Sequence, residues 1–142
     1  MEFKINFMAV MVVVAITFIL GFVWYTALFA KSWTREMGYD PNMRPDKKTM
    51  LKGMALMIIG NFLFVWVLAW TMAGWQFIPN AKEMGPLVNG VNSAVFLWLG
   101  FFVPIHLSGI VWEKKSWKPF GINAGYHLVS LLIAALILAY WT

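Results

Sequence analysis

Cysteine is absent from the 142 residues. That absence excludes disulfides, thiolate metal sites and thiol redox chemistry. Charge is scarce: 12% of residues are charged, against about 25% in an ordinary soluble domain. Acids are scarcest. Glu2, Glu36, Asp40, Asp46, Glu83 and Glu113 are all there are, and each falls in a loop or at the end of an apolar run. A proton-coupled carrier or a carboxylate relay needs an acid in the membrane interior, so neither is expected. No nucleophile–base pair is evident either, and the chain is read as non-enzymatic, with no catalytic residues.

What remains is apolar. Hydrophobic residues make up 61% of the chain. They gather in four runs, at about 6–30, 53–75, 88–112 and 119–141, each at least as long as the ~20 residues that cross a bilayer. A bilayer core forces every spanning segment to satisfy its own backbone hydrogen bonds. The fold class expected is therefore all-α, a four-helix transmembrane bundle forming one domain over residues 1–142. The first run is too long for the ~7–15-residue apolar region of a signal peptide, and "MEFK" sets Glu2 against Lys4, so this run is read as a mature helix. The stretch 31–52 contains "MGYDPNMRPDKK", with two prolines, which predicts an irregular cytoplasmic loop.

The net charge of +5 sits in the segments flanking the spans, so it signals topology rather than nucleic-acid binding. With four spans, the first and third connections share a side and carry nine Lys and Arg residues, against two for the other side. Positive charge marks the cytoplasmic face. Both termini are thus expected outside the cytoplasm, in a bacterial inner membrane. Phe29, Trp33, Trp112 and Trp117 supply an inner aromatic belt, and Trp70, Trp75, Tyr140 and Trp141 an outer one.

A weak echo runs through the chain. "AKSW" follows the first span and "KKSW" the third, while "LAWT" closes the second and "LAYWT" the fourth. This pattern suits two like-oriented helical hairpins related by an axis along the membrane normal.

Each span also has small or polar residues that repeat along one face: Thr17, Gly21 and Tyr25 on the first, and Gly53, Gly60, Thr71 and Gly74 on the second. The third carries Ser93, Gly100, Pro104 and Ser108, and the fourth Asn123, His127, Ser130 and Ala134. In lipid such faces are expected to turn inward, because small residues let backbones approach and polar groups need partners. Pro104 clashes with the carbonyl of Gly100 four residues back, so these two residues predict a bend in the third helix that opens space near Tyr25. His106 lies about 9 Å along the helix from Trp112, and His127 about 12 Å from Pro119. Two histidines on antiparallel neighbours thus reach similar depth, with Trp24, Tyr25 and Asn123 in the same layer. His106 is expected to point into the bundle and share a polar cluster with Asn123 or His127. Asn92, fourteen residues before His106, should line the same side of the helix.

"GFVWYTALFAKSW", "LWLGF", Glu113 and "NAGYHLVSLL" recur in this order. Over nearly its whole length the chain resembles the small bacterial membrane proteins grouped as domain-of-unknown-function family seventeen sixty-one. The resemblance implies a four-span protein of about this length and carries no established activity. Its most specific parts are Trp24–Tyr25 after Gly21, and Gly125–Tyr126 in the last span.

The function expected is binding of a lipid or small amphipathic molecule in a cavity near the cytoplasmic face, formed by Trp24, Tyr25, His106, Asn123, Tyr126 and His127. Membrane lipids and further copies of the chain are the partners expected, and nucleic acid is not. A small oligomeric transporter or channel is the alternative, with Asn61, Asn89 and Asn92 along its path. A third reading puts haem or a metal between His106 and His127. Two histidines without a further ligand are a weak metal signal, so no cofactor and no metal site are expected.

Overall fold

In a computed structural model, residues 4–40 and 42–141 are described. Glu2, Pro41 and Thr142 entered the readings of the N-terminal segment, the first loop and the terminal echo, and they lie outside the described residues.

Every regular element among the described residues is helical. Helix α1 (Phe7–Val23) runs into a π-helical turn (Trp24–Leu28) and then into α2 (Ala30–Glu36). The long α3 (Lys47–Trp75) is followed by α4 (Gly85–Leu97), a second π-helical turn (Trp98–Phe102) and α5 (Val103–Trp112). The last helix is α6 (Trp117–Tyr140). Four stretches are long and apolar enough to cross a membrane: Phe7–Leu28, Lys47–Trp75, Gly85–Trp112 and Trp117–Tyr140. The chain is an all-α, multi-pass membrane protein.

The first connection is more ordered than its prolines predict. Among the described residues only 37–40 and 42–46 of this connection are irregular, because α2 continues the first span beyond the π turn and α3 begins at Lys47. The side chain of Asp46 accepts from the backbone N–H groups of Lys48 and Thr49 at 3.1 and 3.2 Å. Such an N-cap starts a helix before any apolar residue is needed. At 1.5 Å per residue α3 is about 43 Å long, well beyond a ~30 Å hydrocarbon core. Its overhang carries Lys47, Lys48 and Lys52. Gly38, at φ +67°, ends α2 in the left-handed conformation that glycine adopts most readily.

The helices form two hairpins of like orientation, α1 against α3 and α4–α5 against α6. Helix α6 is the hub and packs against α1, α3, α4 and α5. Its closest neighbour is α4. An added Cβ on Gly90 would sit 3.3 Å from the carbonyl oxygen of Ala135, and Ala94 four residues on is fully buried. Small residues at this spacing let two membrane helices approach until their backbones touch.

The bundle has two distinct ends. Residues 4–6, the 76–84 connection and Trp141 lie at the terminal end. The basic connections lie at the other, the basic end. The apolar core of Ala9, Val10, Val13, Val65, Leu68, Leu131, Ala134 and Leu138 occupies the terminal half. In the basic half α3 stands away from its neighbours, and residues 47–60 are all exposed.

That exposure overturns one expectation. Gly53 and Gly60 do not turn into the bundle, whereas Thr71 and Gly74 in the terminal half are half-buried, and an added Cβ on any of the three glycines would meet nothing within 4 Å. The third span departs likewise. Ser93 is buried, while Gly100, Pro104 and Ser108 are exposed. The π turn between Ser93 and Ser108 takes up an extra residue. It therefore rotates everything after it by about 100° relative to an unbroken α-helix. The first and fourth spans keep their small faces inward, with Thr17, Ser130 and Ala134 buried.

Candidate functional site: two π turns, a ring ladder and two cavities

Each π turn is closed by a bond across five residues, from Phe29 N–H to the Trp24 carbonyl and from Val103 N–H to the Trp98 carbonyl. Both turns begin with tryptophan, and both indoles reach α6. Trp24 Nε1 donates to the Ile122 carbonyl at 3.0 Å, and Trp98 Nε1 donates to the Ala124 carbonyl at 2.7 Å. The hub helix is thus held from two sides, one turn or less apart. Widened turns re-aim side chains, which is why π turns recur at specialised positions. The second turn also settles Pro104. The proline falls in the first turn of α5, where the α register restarts and a missing N–H is least costly.

Around the first indole, two segments distant in sequence interlock. Tyr25 Oη donates to Asn123 Oδ1 at 2.8 Å, and Tyr126 Oη donates to the Thr17 carbonyl at 3.3 Å. Gly21 leaves the space that the Tyr126 hydroxyl fills, and the Trp24 ring lies over Gly125. These are the residues that carry the family resemblance, and their contacts are with one another.

A ladder of rings crosses the basic half. Trp33 meets Tyr25 at 4.8 Å between centroids, Tyr25 meets Tyr126 at 5.2 Å, and Tyr126 meets His127 at 5.1 Å. His127 packs on Phe102 at 4.5 Å and stacks on His106 at 5.1 Å, with an interplanar angle of 17°. His106 therefore lies within reach of α6 and beside His127. Near-parallel stacking turns ring faces, not nitrogen lone pairs, toward each other. It leaves no room for a macrocycle between the imidazoles, so this geometry does not fit a haem held by both. Among the described residues, no group of three or more His, Cys, Asp or Glu side chains could hold a metal.

His106 also borders a cavity of about 320 Å³ at the basic end, shared with Trp33, Ser108, Glu113, Lys115, Ser116 and Asn123. Its Nε2 is buried and has no hydrogen-bond partner among the described residues. The mouth is polar. Lys115 pairs with Glu113, and Ser116 Oγ donates to Glu36 Oε2 at 2.8 Å, which ties the two basic connections together. Lys114, at φ +52°, takes the left-handed position beyond α5 and folds this mouth back on Gly109. The ion pair is half exposed and contributes little stability.

Of the six ligand-binding residues read from the sequence, His106 and Asn123 line this cavity, whereas Tyr25, Tyr126 and His127 belong to the ladder beside it and Trp24 meets Tyr126 at 6.2 Å. The bend was expected to open space at Tyr25, but Tyr25 lines neither cavity.

A larger cavity, about 580 Å³, lies at the terminal end. Asn89 and Asn92 line it, and Asn61 does not. The two cavities share no lining residue. Between their levels Val10, Val13 and Val65 are fully buried and Leu131 is 1% exposed. The polar path and the shared side for Asn92 and His106 thus resolve into two separate sites. Sequence reasoning missed Trp98 as a donor, Gly90 as the close approach and the terminal-end cavity. The tryptophan heading each π turn was the available signal for the first.

A family model described as "Protein of unknown function (DUF1761)" matches residues 8–139. No curated protein and no solved structure matches the chain.

Proposed function

The chain belongs to the DUF1761 family, and from that premise we propose that it is a non-enzymatic protein of the bacterial inner membrane that holds a lipid headgroup or small amphipathic molecule in the basic-end cavity. The carrying observation is His106 Nε2, buried and without a partner at the wall of that cavity. A buried polar atom left unpaired costs about 1–3 kcal/mol, which a ligand hydroxyl or phosphoryl oxygen in the cavity would recover. Ser108 and Asn123 add neutral polar groups to the same wall, and the Glu113–Lys115 pair stands at its mouth. The nine-to-two distribution of basic residues supports a cytoplasmic basic end, with both termini outside.

Homo-oligomerisation belongs to the same reading. The basic half of α3 is exposed along its length, and no residue of α5 is fully buried within one chain. A transport route is less well supported, because the closed core between the cavities would force the path to run between copies.

The test compares lipid co-purifying with wild-type protein and with His106→Leu, by native mass spectrometry of protein released from nanodiscs. Loss of a bound lipid or amphiphile in the variant, with the helical content retained, supports the proposal. Equal retention, or wild-type protein that carries nothing, refutes it.

A further inference from the structure

The terminal-end cavity is a second, independently built site. Four elements form it: the start of α1, the end of α3, the start of α4 and the end of α6. Two asparagine side chains hold its walls. Asn6 Nδ2 donates to the Trp141 carbonyl at 2.9 Å and joins the ends of α1 and α6. Asn89 Nδ2 donates to the Ala81 carbonyl at 2.6 Å and anchors the 76–84 connection over the cavity. Ala81 is 4% exposed, and Asn80 and Gly85 turn the connection with positive φ. A cavity framed this way is formed before any ligand arrives, and its volume of about 580 Å³ lies in the range of ~300–1,000 Å³ typical of small-molecule sites.

The wall has a distinct chemistry. Its depth is apolar, with Ala9, Ala69, Met72 and Leu138. Ser93 is also deep, only 2% exposed. The rim presents the carboxamides of Gln76 and Asn92, both on exposed residues. No carboxylate lines the cavity, and Lys4, its one charged lining residue, is already engaged in an interaction of its own. Carboxamides and hydroxyls both donate and accept. They match a head that does the same, such as a glycerol or other hydroxyl-bearing group, better than a fixed charge that must be desolvated. The closed core beneath the cavity limits the length of tail it can take.

The geometry points to a binding site for an uncharged, hydroxyl-headed single-chain amphiphile of medium length, the monoacylglycerol class, entering from the leaflet at the terminal end. The head bonds to Ser93, Asn92 and Gln76, and the tail lies against Ala9, Ala69 and Met72.

The probe is monodecanoylglycerol in phosphatidylglycerol nanodiscs, with decanoate as the charged comparison, read by native mass spectrometry of the released full chain. Wild-type protein is expected to carry one saturable adduct of the glyceride and several-fold less decanoate. Ala73→Phe, which fills the cavity, abolishes the adduct. Ser93→Val lowers occupancy by about fivefold, as the loss of one neutral hydrogen bond predicts. If Ala73→Phe unfolds the protein, Asn92→Leu at the exposed rim takes its place and weakens the adduct. His106→Leu leaves the adduct unchanged, so this site and the basic-end site fail or stand separately. No adduct on the wild type, equal binding of decanoate, or an adduct that survives both Ser93→Val and cavity filling overturns the proposal.

Discussion

The hydroxyl of Tyr126 occupies the place that a side chain on Gly21 would need: an ideal Cβ there would lie 2.9 Å from Tyr126 Oη. The same hydroxyl donates to the carbonyl of Thr17 at 3.3 Å, one turn earlier in α1. One glycine and one tyrosine therefore set how closely α1 and α6 approach at the level of the first π turn.

Gly21→Ala should push this tyrosine away and destabilise the protein by about 1–3 kcal/mol, the usual cost of overpacking. Tyr126→Phe alone should cost about 1 kcal/mol, for one neutral hydrogen bond. The double variant should be more stable than the sum of the two losses implies, because removing the hydroxyl removes the clash. Thermal unfolding in detergent measures all three. Strict additivity would show that the two residues do not meet.

Trp98→Phe keeps a ring but removes the donor to the Ala124 carbonyl, and Trp24→Phe does the same at Ile122. Each is expected to lower stability by about 1 kcal/mol, with the larger effect at Trp98, where the bond is shorter. Unchanged unfolding temperatures for both would remove the π-turn tryptophans from the account of how α6 is held.

Gly60→Ala is expected to leave the unfolding temperature unchanged or raise it. An added Cβ there meets nothing within 4 Å, and alanine is favoured over glycine in a helix by about 1 kcal/mol. A clear fall would mean that Gly60 packs against a second copy of the chain.

A reporter active only in the cytoplasm, fused at either terminus, should stay silent. The same reporter inserted in the 37–46 connection should be active. Activity at the C-terminus would reverse the topology and place the His106 cavity in the opposite leaflet.

The sequence by itself determined the number of spans and their helical nature. Hydropathy adds up locally, and a chain in lipid has few ways to pair its backbone. It also determined the nearness of His106 to α6. Depth along a helix accumulates at a constant 1.5 Å per residue, so counting from Trp112 and Pro119 was sufficient. Azimuth is another matter. Only the tertiary structure decided that an N–H at Phe29 and at Val103 would reach back five residues instead of four. Each such choice turns the rest of its helix by about 100°. That rotation exposed Pro104 and Ser108, and the splaying of α3 left Gly53 and Gly60 facing outward. The terminal-end cavity was hidden for a related reason. Asn6, Ser93 and Leu138 meet there only because the ends of four helices lie at one level, and no local pattern records a meeting between residues so far apart in the chain.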